Sequence, residues 1–305
     1  MKFRNSGFVW SLFMMAAGCN NGPTKEEIKV AQSMHEALTS TPTSRRVVKR
    51  QCNYGCYLAA GGVQCWGDNS FGELGNGTTT GTAACASNST TTCPSVVAIT
   101  TGATDLVLGD TYACAIVNGG VKCWGTWGGT TYASPVSISG ITSGTTKVVV
   151  GDDHACAIAN NAAYCWGVNN MGQLGASGGG LTSAVQVTNM STVYGVVTDI
   201  AVGSKSGCGV QANALKCWGQ IRTEPSLDPA GTPFVLQSNT PTVMLKFGVT
   251  AVKATDDYTC ATVLGKTKCW GSTVAAAQGT ADTLACGTIG PSPSVTNEYV
   301  QLLLQ

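Results

Sequence analysis

From residue 46 onward, apolar and polar positions alternate in short runs, punctuated by glycine, asparagine and serine. A period of two is the signature of half-buried β-strands rather than helices. In Ala113 to Cys123 the alternation puts Cys114, Ile116, Val121 and Cys123 on one face of a sheet. Ala113, Ala115 and Lys122 fall on the other. The pattern recurs around a constant motif of two cysteines with eight residues between them, followed by Trp-Gly. The copies are Cys56 to Cys65-Trp66-Gly67, Cys114 to Cys123-Trp124-Gly125, Cys156 to Cys165-Trp166-Gly167, Cys208 to Cys217-Trp218-Gly219 and Cys260 to Cys269-Trp270-Gly271. Only the stretches between copies vary in length, so the chain is a repeat array with constant units and variable connections.

The constant spacing predicts a hairpin. Folding each unit at its midpoint leaves two-residue loops at Ala60-Gly61, Asn118-Gly119, Asn160-Asn161, Ala212-Asn213 and Leu264-Gly265. Each contains Gly or Asn, the residues that best accept the positive φ of a tight hairpin turn. Counting outward from the loop, the cysteines land on a non-hydrogen-bonded pair with Cα atoms about 4.5 Å apart. That distance lies at the near edge of disulfide geometry, so each hairpin is expected to carry its own cross-strand bridge. Zinc is the competing use of paired cysteines. It favours closer spacing and needs third and fourth ligands, which isolated pairs do not supply; no metal or other cofactor is expected.

The units resemble the repeats of the regulator of chromosome condensation family, whose members are β-propellers. The resemblance is carried by Trp66-Gly67-Asp68-Asn69-Ser70-Phe71-Gly72-Glu73-Leu74-Gly75 and Trp166-Gly167-Val168-Asn169-Asn170-Met171-Gly172-Gln173-Leu174-Gly175. Upstream, Gly109-Asp110-Thr111-Tyr112-Ala113-Cys114 and Gly151-Asp152-Asp153-His154-Ala155-Cys156 also recur, as does Asp256-Asp257-Tyr258-Thr259-Cys260. Repeats two, four and five keep Cys-Trp-Gly and lose the Asn-x-x-Gly-x-Leu-Gly tail. The resemblance implies an all-β propeller over roughly residues 46–300. It has five blades, or six if the termini supply a degenerate one, where well-known members have seven. A blade cannot bury both faces alone, so the ring must close.

The N-terminus differs in kind. Lys2 and Arg4 precede the apolar run Phe8 to Met15, and Ala16-Ala17-Gly18-Cys19 follows. This is the layout of a signal peptide, with a core too short to span a membrane stably. Ala16 to Cys19 resembles a bacterial lipobox, with Ala16 in place of the usual leucine, so Cys19 is expected to be acylated. Asn20 is not the aspartate that commonly retains such proteins at the inner membrane, which favours the outer membrane. The organisation is thus 1–18 signal peptide, 19–45 tether and 46–305 propeller. In the tether, Thr24-Lys25-Glu26-Glu27 has the capping-box pattern and starts a short amphipathic helix. Parity agrees: of 15 cysteines, assigning Cys19 to lipid leaves 14 that can pair in an oxidising compartment. Beyond the five repeats, Cys85 and Cys93 bracket a Ser/Thr-rich insertion and are expected to pair. By elimination Cys52 and Cys286 would then latch the ends of the array.

Composition narrows the function. Charged residues are only 11% of the chain and glycines number 39, which suits turns and strands. Without Lys2 and Arg4 the balance is 15 basic to 16 acidic residues, which argues against nucleic acid as a partner. No nucleophile triad, phosphate loop or metal carboxylate cluster can be assembled, so the chain is read as non-enzymatic. His154 occupies the position held by Tyr54, Tyr112 and Tyr258 in other repeats, which marks it as a packing residue. Trp127, outside the repeat, sits with Tyr132 in a Gly/Thr loop; it either packs onto its neighbouring blade or forms with Tyr132 a candidate interface anchor. The expectation is a monomeric, lipid-anchored envelope protein that binds or scaffolds an unidentified protein. The family resemblance supplies an alternative, inhibition of an extracytoplasmic enzyme as in a β-lactamase-inhibiting relative. An envelope polysaccharide-active enzyme is a third class, and would need two converging carboxylates.

Overall fold

The computed structural model describes residues 46–50, 54–80, 96–222, 235–254 and 258–271. They form five antiparallel sheets in sequence order, one per repeat. Blade 1 holds β1 (Arg46–Arg50), β2 (Tyr54–Ala59), β3 (Gly62–Gly67) and β4 (Val96–Ile99). Blade 2 holds β5 (Ala103–Leu108), β6 (Tyr112–Val117), β7 (Gly120–Trp127) and β8 (Thr130–Ser137). Blade 3 holds β9 (Thr145–Val150), β10 (His154–Ala159), β11 (Ala162–Gly167) and the short β12 (Val185–Gln186). Blade 4 holds β13 (Val197–Val202), β14 (Ser206–Gln211), β15 (Ala214–Arg222) and β16 (Val235–Leu245). Blade 5 has β17 (Val249–Ala254), β18 (Tyr258–Val263) and β19 (Lys266–Gly271). The first strands lie against one another, β1 on β5, β5 on β9, β9 on β13 and β13 on β17, so they line the propeller axis. This is the all-β, disulfide-stapled propeller that the repeats imply. The tether, Cys19, the Cys52–Cys286 latch, the Cys85–Cys93 pair and a sixth blade fall outside the described residues.

All five hairpins form as the spacing predicts. Each cysteine faces its partner across the ladder, and five disulfides close with Cα–Cα distances of 4.0–4.1 Å. Each short loop contributes about 2–3 kcal/mol on the chain-entropy account. Both residues of every turn have positive φ, including Ala60, Ala212 and Leu264, where a side chain makes that conformation unfavourable. The turns also brace the ring. The Gly61, Gly119, Asn161 and Asn213 carbonyls accept hydrogen bonds from Ala103, Thr145, Val197 and Val249, the first residues of the next inner strands.

A size match accompanies that brace. The residue before each inner strand accepts from the first turn residue of its own hairpin: Gly102 from Asn118, Gly144 from Asn160, Val196 from Ala212 and Gly248 from Leu264. A Cβ on Gly102 would come within 2.3 Å of Asn118 Oδ1, and one on Gly144 within 2.0 Å of Asn160 Oδ1. Where the lead-in residue is Val196, the turn carries the small Ala212.

The blades pack by an alternation of large and small. The cysteine face of each blade, with Leu58 and Val63 in blade 1 or Ile116 and Val121 in blade 2, meets the alanine and tryptophan face of the next. Thus Cys56, Cys65 and Val63 share a cluster with Ala113, Ala115 and Trp124. Cys114, Cys123 and Ile116 share one with Ala155, Ala157 and Trp166. The tails of repeats one and three then cap the tryptophan of the following blade. Trp124 Nε1 donates to the Glu73 carbonyl and Trp218 Nε1 to the Gln173 carbonyl, each at 2.8 Å. The Gly75 and Gly175 Cα atoms lie against those indoles so closely that a Cβ would stand 2.8 Å away. Repeats two and four lack the tail, and the buried indole N–H groups of Trp166 and Trp270, in the blades that follow, have no partner.

Two expectations follow. Leu264→Asn, beside Gly248, should stabilise by about 1 kcal/mol by relieving a left-handed leucine. Ala212→Asn should gain nothing unless paired with Val196→Gly, a dependence that a double-mutant cycle in denaturant measures. In the indole series, Trp166→Phe should be less destabilising than Trp124→Phe or Trp218→Phe by about 1–2 kcal/mol, because it discards a donor already unsatisfied. Equal losses at all three would contradict that reading.

Candidate functional site

The hairpin geometry gives the propeller two different ends. One, the hairpin face, carries the five turns and the links into each inner strand. The other, the loop face, carries the links between first and second strands and the segments that follow each third strand. Two of those segments are built as rigid loops. Asn69 is buried; its Oδ1 accepts from Leu74 N at 3.0 Å while its Nδ2 reaches the Thr78 and Thr80 carbonyls. Asn169 repeats this with Leu174 N and the Ala176 carbonyl. Glu73 and Gln173 accept from Phe71 N and Met171 N in equivalent positions. Burial raises the Glu73 carboxyl pKa, whereas the Ser70 backbone N–H holds Asp68 below the usual carboxylate range. Phe71 ends up 46% exposed on a loop whose carbonyl at that residue is held by Thr126 Oγ1 of blade 2.

The candidate anchor Trp127 is not on the surface. It is 1% exposed, its Nε1 donates to the Leu181 carbonyl at 3.0 Å, and it stacks on Tyr132 with centroids 4.4 Å apart. It lies in the cluster that contains Trp166, so it fills space between blades 2 and 3. Sequence placed it in a Gly/Thr loop and could not show that Leu181, 54 positions later, folds over it. Tyr132 is half-buried against it. On the loop face, the exposed aromatic among the described residues that the sequence reading passed over is Phe71. It was legible only as part of the repeat tail.

His154 is a bolt between blades. Tyr54 donates its hydroxyl to the Gly109 carbonyl and stands 3.1 Å from that of Tyr112; Tyr112 donates to His154 O at 2.7 Å. His154 continues the series, with Nε2 3.3 Å from Ser206 O. The ring is fully buried and its Nδ1 has no partner. Desolvation therefore pushes its pKa down to about 4. Another bolt crosses the inner strands: Lys147 of blade 3 pairs with Asp199 of blade 4, whose other oxygen accepts from Val252 N of blade 5 at 2.8 Å. Among the described residues no three His, Cys, Asp or Glu side chains group to hold a metal.

The two faces differ in charge. Among the described residues the loop face carries Asp68, Glu73, Asp110, Asp152 and Asp153, with Lys205 and, at strand ends, Arg50 and Arg222 as basic neighbours. The turns and links of the hairpin face contain no Asp or Glu. There Val193, Tyr194, Val196, Phe247 and Leu264 are exposed, Val193 to 85% and Leu264 to 75%.

The histidine has a pH consequence. Folded His154 stays neutral until about pH 4, whereas the unfolded ring takes its proton near pH 6.5. Stability is unaffected above pH 6.5 and falls as pH drops from there to 4, by about 3 kcal/mol from this group. His154→Tyr, matching Tyr112, should flatten that part of the pH dependence in denaturant titrations. An unchanged slope would show that the ring is protonated or solvated in the fold.

Residues 146–173 match the family model of the "Regulator of chromosome condensation (RCC1) repeat". No curated protein matches the chain. Among solved structures, human WBSCR16 superposes with a TM-score of 0.58 at 17% identity, over 75% of this chain and 62% of that one. Yeast RCC1 (Prp20) bound to Kap60 gives 0.55 at 18% identity, over 75% and 56%. Prp20p from Saccharomyces cerevisiae gives 0.54 at 16%, over 78% and 59%. The chain spans less than two thirds of each of these proteins. It carries an RCC1 repeat at residues 146–173 and has the fold of RCC1-type β-propellers.

Proposed function

We propose that the chain is a non-enzymatic, protein-binding propeller of the bacterial cell envelope, anchored through an acylated Cys19, that offers its loop face to a partner protein. The observation that carries this reading is the construction of that face. Phe71 stands exposed on a loop fixed from within by Asn69 and Glu73. The acidic Asp110 and Asp152 are exposed on the links of neighbouring blades. An aromatic on a pre-organised loop loses little entropy on binding, and acidic residues on the same face favour one class of partner. A disulfide in every blade suits an oxidising compartment. Proteins of this fold provide a parallel: Prp20 is seen bound to Kap60 and has binding properties to Gsp1p and histones.

The test is affinity capture from envelope extracts with residues 20–305, oxidised and reduced in parallel, alongside Phe71→Ser and Asp152→Lys variants. One partner is expected, held by the oxidised chain and weakened at least tenfold by either change. A partner unaffected by both would move the binding surface elsewhere. Its identity also separates a scaffold from an enzyme inhibitor.

A further inference from the structure

The hairpin face is left unexplained by partner binding on the loop face. Its exposed apolar residues lie on the links into blades 4 and 5 and on the blade 5 turn. The loop holding Val193, Tyr194 and Val196 is fixed from below by Gln211, whose Nε2 donates to the Ser191 and Gly195 carbonyls at 2.9 Å each. The Val196 carbonyl accepts from Ala212 N, and the Asn213 carbonyl accepts from Val249 N. Phe247 precedes Gly248, whose carbonyl accepts from Leu264 N. The patch therefore runs Val193, Tyr194, Val196, Phe247, Leu264 on a braced frame.

Charge and chain direction say what the patch faces. Lys246 and Lys266 are exposed next to Phe247 and Leu264, and no acidic residue lies in the described turns and links of this face. The acids nearest to it, Asp105 and Asp199, lie on the inner strands, and Asp199 is bound to Lys147. Strand β1 pairs Arg46 with Leu58, beside the turn, and Arg50 with Tyr54 at the far end. Strand β1 thus begins at the hairpin face. A lipid on Cys19 would be linked to the propeller through this end of the strand.

We infer that the hairpin face of blades 4 and 5 is a membrane-docking surface. Tyr194, Phe247, Leu264 and the adjacent valines enter the interfacial region of an anionic bilayer, and Lys246 and Lys266 contact its headgroups. Aromatic and aliphatic tips flanked by lysines have the composition that binds interfaces, through apolar insertion plus attraction to anionic lipid. Docking in this orientation turns the acidic loop face outward. It rests on the envelope reading above, and adds a contact between the folded domain and the bilayer that the lipid alone does not supply.

The experiment uses residues 20–305, which keep every described residue and lack Cys19. Co-sedimentation is measured with phosphatidylcholine vesicles, with and without phosphatidylglycerol. Binding is expected only with phosphatidylglycerol, and should weaken with salt. Tyr194→Ser with Phe247→Ser, and separately Lys246→Glu with Lys266→Glu, should each reduce it at least tenfold. Phe71→Ser on the loop face should leave it unchanged. Leu264→Asn should also weaken it without loss of stability, which separates docking from unfolding. No binding to phosphatidylglycerol vesicles, or binding insensitive to the hairpin-face changes, would overturn the inference. So would a captured protein partner that is lost on those changes while vesicles are not bound. Absence of vesicle binding leaves loop-face capture intact, and a partner indifferent to Phe71 leaves vesicle binding intact, so the two readings fail separately.

Discussion

Everything in this fold depends on one interface, the packing of a bridged, β-branched face of one blade against the alanine, glycine and tryptophan face of the next. A four-stranded blade has two apolar faces and cannot bury either by itself. In blade 2, Cys114, Ile116, Val121 and Cys123 are all buried, and what covers them is Ala155, Ala157 and Trp166 of blade 3. Small residues beside each tryptophan let the indole lie flat across the strand. The large ring then fills the space those small residues leave. In blades 2 to 4, where the row is Ala113 and Ala115, Ala155 and Ala157, and Gly207 and Gly209, a substitution that enlarges it would push neighbouring blades apart.

The remaining contacts are refinements of that interface. Turn-to-strand hydrogen bonds fix the axial register of neighbouring blades, the Tyr54, Tyr112 and His154 series fixes the opposite end, and Lys147 with Asp199 ties the inner strands. The series stops at Ser206, which has no ring to reach blade 5. With the blades held from both ends, the loops beyond them are free to vary. Variation then collects where a partner would see it, on rigid platforms such as the Asn69 loop.

Much of this was legible in the sequence because the signals are local. Spacing between cysteines fixed the register, and register fixed the bridges; all five turns took the positive φ that their Gly and Asn content foretold. The loss of the repeat tail in repeats two and four likewise matches the two unpaired indoles of the following blades. What sequence could not show are contacts made by residues far apart in the chain. Trp127 could be read either as packing on its neighbouring blade or as a surface anchor, and the sequence could not decide because its cover, Leu181, belongs to another blade. The apolar residues of the hairpin face were invisible for the same reason: Tyr194, Phe247 and Leu264 are scattered in sequence and share a face only once blades 4 and 5 are folded. The charge asymmetry also needs the fold, since it depends on which end of each strand a residue occupies.

The central claim is that each blade is a separately bridged hairpin packed on its neighbour in an oxidising compartment. Non-reducing peptide mapping of the protein isolated from its native host without reductant tests this directly. The account predicts five linked peptides, joining Cys56 to Cys65, Cys114 to Cys123, Cys156 to Cys165, Cys208 to Cys217 and Cys260 to Cys269, with no free thiol among them. Free thiols at these positions, or bridges running between blades, would contradict it.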